Sequence, residues 1–146
     1  MQTFLPYLDF DRTAKCLDYR RLGKQRLEAR QIYDTLINHR QSWAHHPAVL
    51  MWAGYESTLN LYYMAIIKEW LRRGFKNTMP LSLDLTSDEF NSTGHVHTWP
   101  WWFNDPRIEL THRSNLLRKN YEYYKQFRWD ISDDLEYFWP VRKSSQ

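Results

Sequence analysis

The chain has 146 residues, enough for one domain with its own core, and no Gly/Ser/Pro-rich linker divides it, so residues 1–146 are read as a single domain. Aromatic residues make up 17% of the chain, yet the mean hydropathy is −0.75, a balance that allows large rings both in a core and on binding surfaces. The lone Cys16 excludes an intramolecular disulfide and a cysteine-built zinc site, and the absence of a long apolar run excludes a signal peptide or membrane anchor, so a soluble, cytoplasmic monomer is expected.

Met1 to Tyr7 reads as an extended arm, because Pro6 disfavours helix in the residue before it. A first helix is expected from Asp9 or Asp11, either of which can cap it, to about Asn38, with Gly23 as a weak spot inside. At about 100° per residue, Ala14, Leu22, Ala29, Ile32, Tyr33 and Leu36 gather on one side of that helix. Asp18, Arg21, Gln25 and Glu28 fall along or beside the same side. Charges turned inward are costly unless paired, so this column is either a buried ion-pair network or the wall of a pocket. Arg20, Lys24 and Arg26 flank it, which sets cations able to hold a nucleic-acid backbone beside carboxylates able to move protons.

The polar loop NHRQSWAHH follows, and Pro47 opens a second helical segment, interrupted or bent near Gly54. His45 and His46 stand at its N-terminus, where free amides favour a phosphate and a histidine can donate to the same anion. The stripe Trp52, Tyr55, Leu59, Tyr62, Ile66, Trp70 marks a strong helix that ends at Arg72, Arg73 and Gly74. Phe75 to Asp105 contains Pro80, Gly94 and Pro100 with little periodicity, and reads as a long ordered loop holding at most one short helix. Its end, HTWPWWFNDP, clusters Trp99, Trp101, Trp102 and Phe103. Trp101 and Trp102 are candidates for stacking on an extruded base, with a loop pinned by its own rings as the equal alternative. His45, His46, His95 and His97 match no metal-binding spacing, so neither a metal nor a cofactor is expected.

A third helix is expected from Pro106 through Arg128, with a break near Asn120. In THRSNLLRKN, His112, Asn115 and Lys119 share one face, and Arg113, Arg118 and Lys119 make a positive end suited to phosphates. A solvated basic helix is the plainer alternative. The tail is expected to pack Tyr137, Phe138 and Trp139 back onto the helices. The fold class is therefore all-α, with three principal helices joined by long connections. Between Asp11 and Arg30 there are seven Lys/Arg against three Asp/Glu, and between Arg107 and Arg128 six against two, a distribution that fits a polyanion-binding face. No GxGxxG, Walker loop or GxSxG occurs, which disfavours nucleotide hydrolysis and serine-type acyl transfer.

The segments MQTFLPY, LDYRRLGKQRLEA, HHPAV, MWAGYE, EWLRRG, HRSNLLRK and YFWP resemble a bacterial and phage branch of the pyrimidine-dimer DNA glycosylase family that includes phage endonuclease V. The resemblance runs from Met1 to Pro140; that to the biochemically familiar members rests on Tyr19-Arg20, the helix end Arg73-Gly74-Phe75 and the basic third helix. It implies a compact, endonuclease V-like all-α domain whose partner is DNA, and a glycosylase with coupled abasic-site lyase activity on a damaged or modified pyrimidine. Familiar members attack C1′ with the N-terminal α-amine, assisted by a first-helix glutamate; an α-amine titrating at about pH 8 leaves free base at neutral pH. Gln2 would leave Met1 in place, so the amine implied here is that of Met1, with Lys24 as a substitute. The glutamate that follows Tyr-Arg in those members is Arg21 here, so Asp18 or Glu28 takes the acid role. Arg20 matches a DNA-contacting arginine. On this reading Arg20, Lys24, Arg113, Arg118 and Lys119 hold phosphates, Arg21, Gln25 and His45 add DNA contacts, and His46, His112 and Asn115 organise the pocket. The competing readings are a non-catalytic nucleic-acid-binding module and an enzyme of the same fold that processes a nucleotide or modified base.

Overall fold

Asp9 accepts a hydrogen bond from the Arg12 amide at 2.8 Å and starts α1, Phe10–Cys16. The structure, a computed structural model, describes residues 1–84 and 98–141. Beyond α1 it contains α2 (Tyr19–Ile37), α3 (Pro47–Leu50), α4 (Glu56–Arg72), α5 (Pro106–Lys119), α6 (Tyr121–Tyr124) and a 3₁₀ turn at Lys125–Phe127, with no strand among the described residues. The all-α class holds, and α2, α4 and α5 are the three principal helices. None of the described helices is long and apolar enough to cross a membrane.

The expected first helix is two helices. The chain turns extended at Leu17 and Asp18, with ψ of 139° and 159°, and not at Gly23. Distant groups hold this break open. Arg73 Nη2 donates to the carbonyls of Ala14, Lys15 and Leu17 at 3.2, 3.1 and 2.7 Å, which satisfies the last turn of α1. The Asp18 amide donates to the Tyr124 hydroxyl at 3.0 Å, and that hydroxyl donates back to Asp18 Oδ1. Arg73 is aimed by the buried Glu69, which accepts from Arg73 Nε at 2.8 Å and from Arg72 Nη2 at 2.6 Å. Hydrogen bonding to Arg72, with Arg73 adding, keeps the Glu69 carboxyl below its ordinary range. Gly23, inside α2, marks a close approach: a Cβ there would lie 3.0 Å from the Trp70 ring on α4.

The segment read as an arm is a buried thread. Residues 2–7 are all buried, and with no strand partner their backbone groups are satisfied mainly by side chains. Gln25 brackets Thr3, with Nε2 donating to Gln2 O at 2.9 Å and Oε1 accepting from the Phe4 amide at 3.1 Å. The Leu5 amide donates to His112 Nδ1 at 2.8 Å, Arg113 Nε donates to Pro6 O at 2.7 Å, and Thr13 Oγ1 serves both the amide and the carbonyl of Tyr7. Trp52 Nε1 donates to Thr3 Oγ1 at 2.9 Å. Around this thread α4 supplies its stripe: Leu59, Tyr62, Ile66 and Trp70 are buried as their spacing demands. Trp52 and Tyr55 come before that helix, on either side of the positive-φ turn at Gly54, with Tyr55 as the helix N-cap. The helix ends as expected, with Arg73 as its cap and Gly74 at φ 85°.

On the other side α5 breaks at Asn120, φ −154°, in agreement with its sequence. The tail lies back along α5, where Ser114 Oγ accepts from the Leu135 amide and Thr111 Oγ1 from the Phe138 amide, at 3.0 and 3.1 Å. Tyr137, Phe138 and Trp139 pack against the core. Cys16 is buried, which pushes its thiol up to about 12 and makes it inert.

Candidate active site

The charged column of the first helices divides into two parts. Asp18, at the N-terminal boundary of α2, is buried and paired with Arg21 at 3.2 Å, and its other oxygen accepts from Tyr124. Burial, reinforced by the bond to Asp18, raises the Tyr124 hydroxyl far above its usual value, so it remains a donor. Asp18 therefore fastens the α1–α2 break to α6. Two turns further along, the fully buried Gln25 uses Nε2 on both Gln2 O and Glu28 Oε2, the latter at 2.7 Å. The Tyr62 hydroxyl sits 2.6 Å from Gln25 Oε1 and 2.8 Å from Phe4 O, and can give its one proton to either.

This arrangement opens onto a cleft of about 870 Å³ between the start of α2, the N-terminal thread, the end of α5 and the tail. Met1, Gln2 and Phe4 form one wall, and Lys119, Asn120 and Tyr137 another. Among the described residues the lining holds five cationic side chains, Arg20, Arg21, Lys24, Arg26 and Lys119, against one carboxylate, Glu28. Arg20, Lys24 and Lys119 are exposed and can move to meet phosphates, whereas Arg26 is held at 2.7 Å by Asn77 and lies 4.1 Å over the Trp70 ring. Burial drives the Tyr137 hydroxyl up to about 12, so it faces the cleft as a neutral donor or acceptor. Gln2 Nε2 is a buried donor without a partner among the described residues, while Gln2 Oε1 accepts from the Thr3 amide at 2.9 Å.

Other anticipated residues stand elsewhere. His112 is buried one layer behind the cleft, edge-on to Phe4 and Tyr137, with Nδ1 accepting from Leu5. Burial lowers its pKa to about 3, so it is a neutral acceptor that positions the thread. Asn115 is also buried, and its Nδ2 donates to Thr111 O and Leu135 O at 2.8 and 3.0 Å. Arg118 bonds the Asn115 side chain and donates to Asp133 O at 3.2 Å, which ties down the tail. Arg113 turns inward over the Tyr7 ring, 4.8 Å from its centroid. His46 caps α3, accepting from the Ala48 amide at 3.0 Å, and is absent from the cleft lining. Burial first, and the positive N-terminus second, lower its proton affinity.

The two stacking candidates separate. Trp102 belongs to the core: it is buried, donates to Met51 O at 2.8 Å and meets Trp52 edge-on at 5.1 Å. Trp101 is exposed, and together with the exposed His45 it lines a different concavity, beside Pro140. His95 and His97 lie outside the described residues; among those described, no group of three metal-binding side chains occurs. A further groove of about 730 Å³ between α1 and α4 is apolar, with Asp9 and Asp11 set against Lys68, a lining unsuited to a polyanion. Gln2, Phe4 and Tyr137 join the cleft without having been singled out as site residues, and only their membership in the MQTFLPY and YFWP segments pointed to them, whereas Arg26 stands there as one of the cations read beside the charged column.

No curated protein and no solved structure matches the chain. The family described as pyrimidine dimer DNA glycosylase matches residues 1–83, which carry Met1, both halves of the charged column and every cleft residue named above except Lys119, Asn120 and Tyr137. DNA glycosylase activity is what that family implies. The match spans more than half of the sequence and falls on the residues that build the cationic cleft: the chain belongs to the pyrimidine dimer DNA glycosylase family.

Proposed function

We propose that the cleft between α2, α5 and the N-terminal thread is the active site of a DNA N-glycosylase with coupled abasic-site lyase activity on a damaged or modified pyrimidine. The observation that carries this reading is the lining itself, which among the described residues sets Met1 and one carboxylate, Glu28, on one cavity with five cations. The cations offset the backbone charge of the DNA and position it.

In this mechanism the deprotonated Met1 amine attacks C1′ of the target nucleotide. A C–N bond forms to the sugar, the bond from C1′ to the base breaks, and the base leaves with the electron pair and takes up a proton. Glu28 accepts the proton shed by the amine and returns one to O4′ as the sugar ring opens, which gives an iminium at C1′. The same carboxylate then removes a C2′ proton, and the 3′ C–O bond breaks with the phosphate as leaving group. Gln25 holds Glu28 Oε2, and Glu28 Oε1 makes no hydrogen bond among the described residues, so one oxygen is oriented and the other serves the substrate. Asp18 is committed to Arg21 and Tyr124 and takes no part in the proton transfers.

The test is borohydride trapping on ultraviolet-irradiated DNA and on abasic DNA, followed by mass-spectrometric mapping of the adduct. The expected adduct is on the Met1 amine. An adduct on Lys24 would make that side chain the nucleophile. DNA binding with neither adduct nor released base would favour the non-catalytic module, and base release from intact strands a glycosylase without lyase activity.

A further inference from the structure

The tail that lies along α5 is fastened on both sides of Tyr137. Two residues before it, the Leu135 amide donates to Ser114 Oγ and the Leu135 carbonyl accepts from Asn115 Nδ2, each at 3.0 Å. One residue after it, the Phe138 amide donates to Thr111 Oγ1 at 3.1 Å, and the Arg107 guanidinium lies 3.8 Å over the Phe138 ring. The Tyr137 ring itself is held by three others: His112 meets it at 5.6 Å and 85°, Trp139 at 5.6 Å and Phe4 at 6.3 Å.

The hydroxyl at the end of this ring is not used by the fold. The hydroxyls of Tyr62 and Tyr124 are engaged inside it, on Gln25 or Phe4 and on Asp18. Tyr137 lines the cleft instead, and its hydroxyl makes no hydrogen bond among the described residues. Burial of the ring keeps that hydroxyl protonated at neutral pH, and the charges that act on it are Arg118, Glu28 and Arg21, of which Glu28 and Arg21 line the same cleft. A neutral donor on a fixed ring therefore faces the cavity that holds Met1 and Glu28.

Glycosidic cleavage puts charge where neither Met1 nor Glu28 meets it. The electron pair of the broken bond goes to the departing pyrimidine and spreads from N1 into the adjacent C2 carbonyl, so O2 becomes negative. O2 is on the minor-groove edge of a pyrimidine, two bonds from N1, and an amine that reaches C1′ from that groove has O2 beside it with the base still in the stack.

We propose that Tyr137 is a catalytic residue of base release: its hydroxyl donates a hydrogen bond to O2 of the target pyrimidine and stabilises the charge that gathers there as the bond between C1′ and N1 breaks. The hydroxyl keeps its proton. The departing base takes the proton it needs at N1 from water, and the hydroxide left behind balances the charge of the iminium. A donor held in place before the reaction and aimed at developing charge lowers the barrier without reorganising. The proposal rests on the reading of the cleft as a glycosylase site.

The experiment compares two duplexes, one irradiated with ultraviolet light and one carrying a preformed abasic site, which has no base and no O2. Tyr137→Phe removes the hydroxyl and leaves the ring, so its Tm should match that of the parent. It should slow single-turnover base release from the irradiated duplex by about 100-fold, and change borohydride trapping on the abasic duplex by less than about threefold. Tyr137→Leu gives up the ring contacts as well, and should lower Tm and both rates together. Base release by Tyr137→Phe within about threefold of the parent overturns the proposal. Equal losses on the two duplexes overturn it too, since they would put the hydroxyl on the sugar or make it a strut. A parent that traps on the abasic duplex but releases no base has no departing pyrimidine to serve, which removes the proposal and keeps the amine. A parent that does neither removes the reading of the cleft, and the proposal with it.

Discussion

Gln25 and Glu28 are joined by a 2.7 Å hydrogen bond from Nε2 to Oε2, and the same Nε2 holds the Gln2 carbonyl at 2.9 Å. One buried amide thus sets the position of the cleft's carboxylate relative to the second peptide group of the chain. Arg20 and Lys24, exposed on α2, can follow a flexible phosphate backbone, whereas in the proposed mechanism the amine and the acid must meet at one carbon atom, and Gln25 ties the acid to the residue next to the amine.

Gln25→Leu should therefore weaken the fold and the site together. It leaves the Phe4 amide and the Gln2 carbonyl buried without partners, at about 1 to 3 kcal/mol each. Urea unfolding should show a loss of roughly 2 to 5 kcal/mol. A change under about 1 kcal/mol would mean that water replaces Gln25, and that the thread is looser than its burial indicates.

Glu28→Gln and Asp18→Asn should behave as opposites. The first should lower single-turnover base release by about 100-fold or more while duplex affinity, read by fluorescence anisotropy, is kept or improved. Asp18→Asn weakens the links to Arg21 and Tyr124, so it should lower Tm while turnover of the folded fraction stays within a few-fold. A large loss of turnover in Asp18→Asn at unchanged Tm would move the acid role to Asp18.

The basic residues should separate by salt dependence. Arg20→Ala and Lys119→Ala each remove an exposed cleft cation and should each reduce the slope of log K against log salt by about 0.9. Arg113→Ala removes the clamp on Pro6 and the cation over Tyr7, and should lower Tm while the slope stays unchanged. A slope that falls with Arg113→Ala would place that side chain on the DNA.

Acid should loosen the thread through His112. Its pKa is about 3 in the fold against 6.5 unperturbed, so between these values the unfolded chain binds a proton that the native chain refuses. This contribution to stability is complete above about pH 6.5 and is lost as pH falls, by about a factor of ten in the folding constant per pH unit. Protonating Nδ1 would also sever the bond from the Leu5 amide. Equilibrium unfolding from pH 7 to 4 should show this slope in the parent, and His112→Gln should be less stable at pH 7 but show a flatter profile. Equal slopes would assign the acid sensitivity to other groups.

What could be read from sequence follows from where the causes lie. The α4 stripe from Leu59 to Trp70 and the helix end at Gly74 are periodic and local and stand as read, whereas Trp52 and Tyr55, read into the same stripe, precede the helix. The α1–α2 break is caused by Arg73 and Tyr124, 56 and 106 residues from the carbonyl and amide they hold, so no local pattern around Asp18 announces it. The charged column was legible as a face of α2, but which member is consumed by packing depends on Tyr124 and Gln2, which approach from other segments. Trp101 and Trp102 show the limit most plainly: they are neighbours in a turn closed by the Phe103 amide on Pro100 O, and only their opposite directions decide that one is core and one surface. Gly23 looked like a defect in a helix because its reason, the Trp70 ring, is on another helix.

The buried thread also fixes an order of events. Residues 2–7 precede nearly all the side chains that hold them, and Leu5 waits for His112, 107 residues later. Contacts of such separation form late in folding, and a chain emerging from its N-terminus exposes this segment longest. Until α5 is made, the thread lacks the His112 contact that seats Leu5. On the proposed mechanism, competence to break a glycosidic bond therefore waits for a helix more than a hundred residues downstream of the nucleophile.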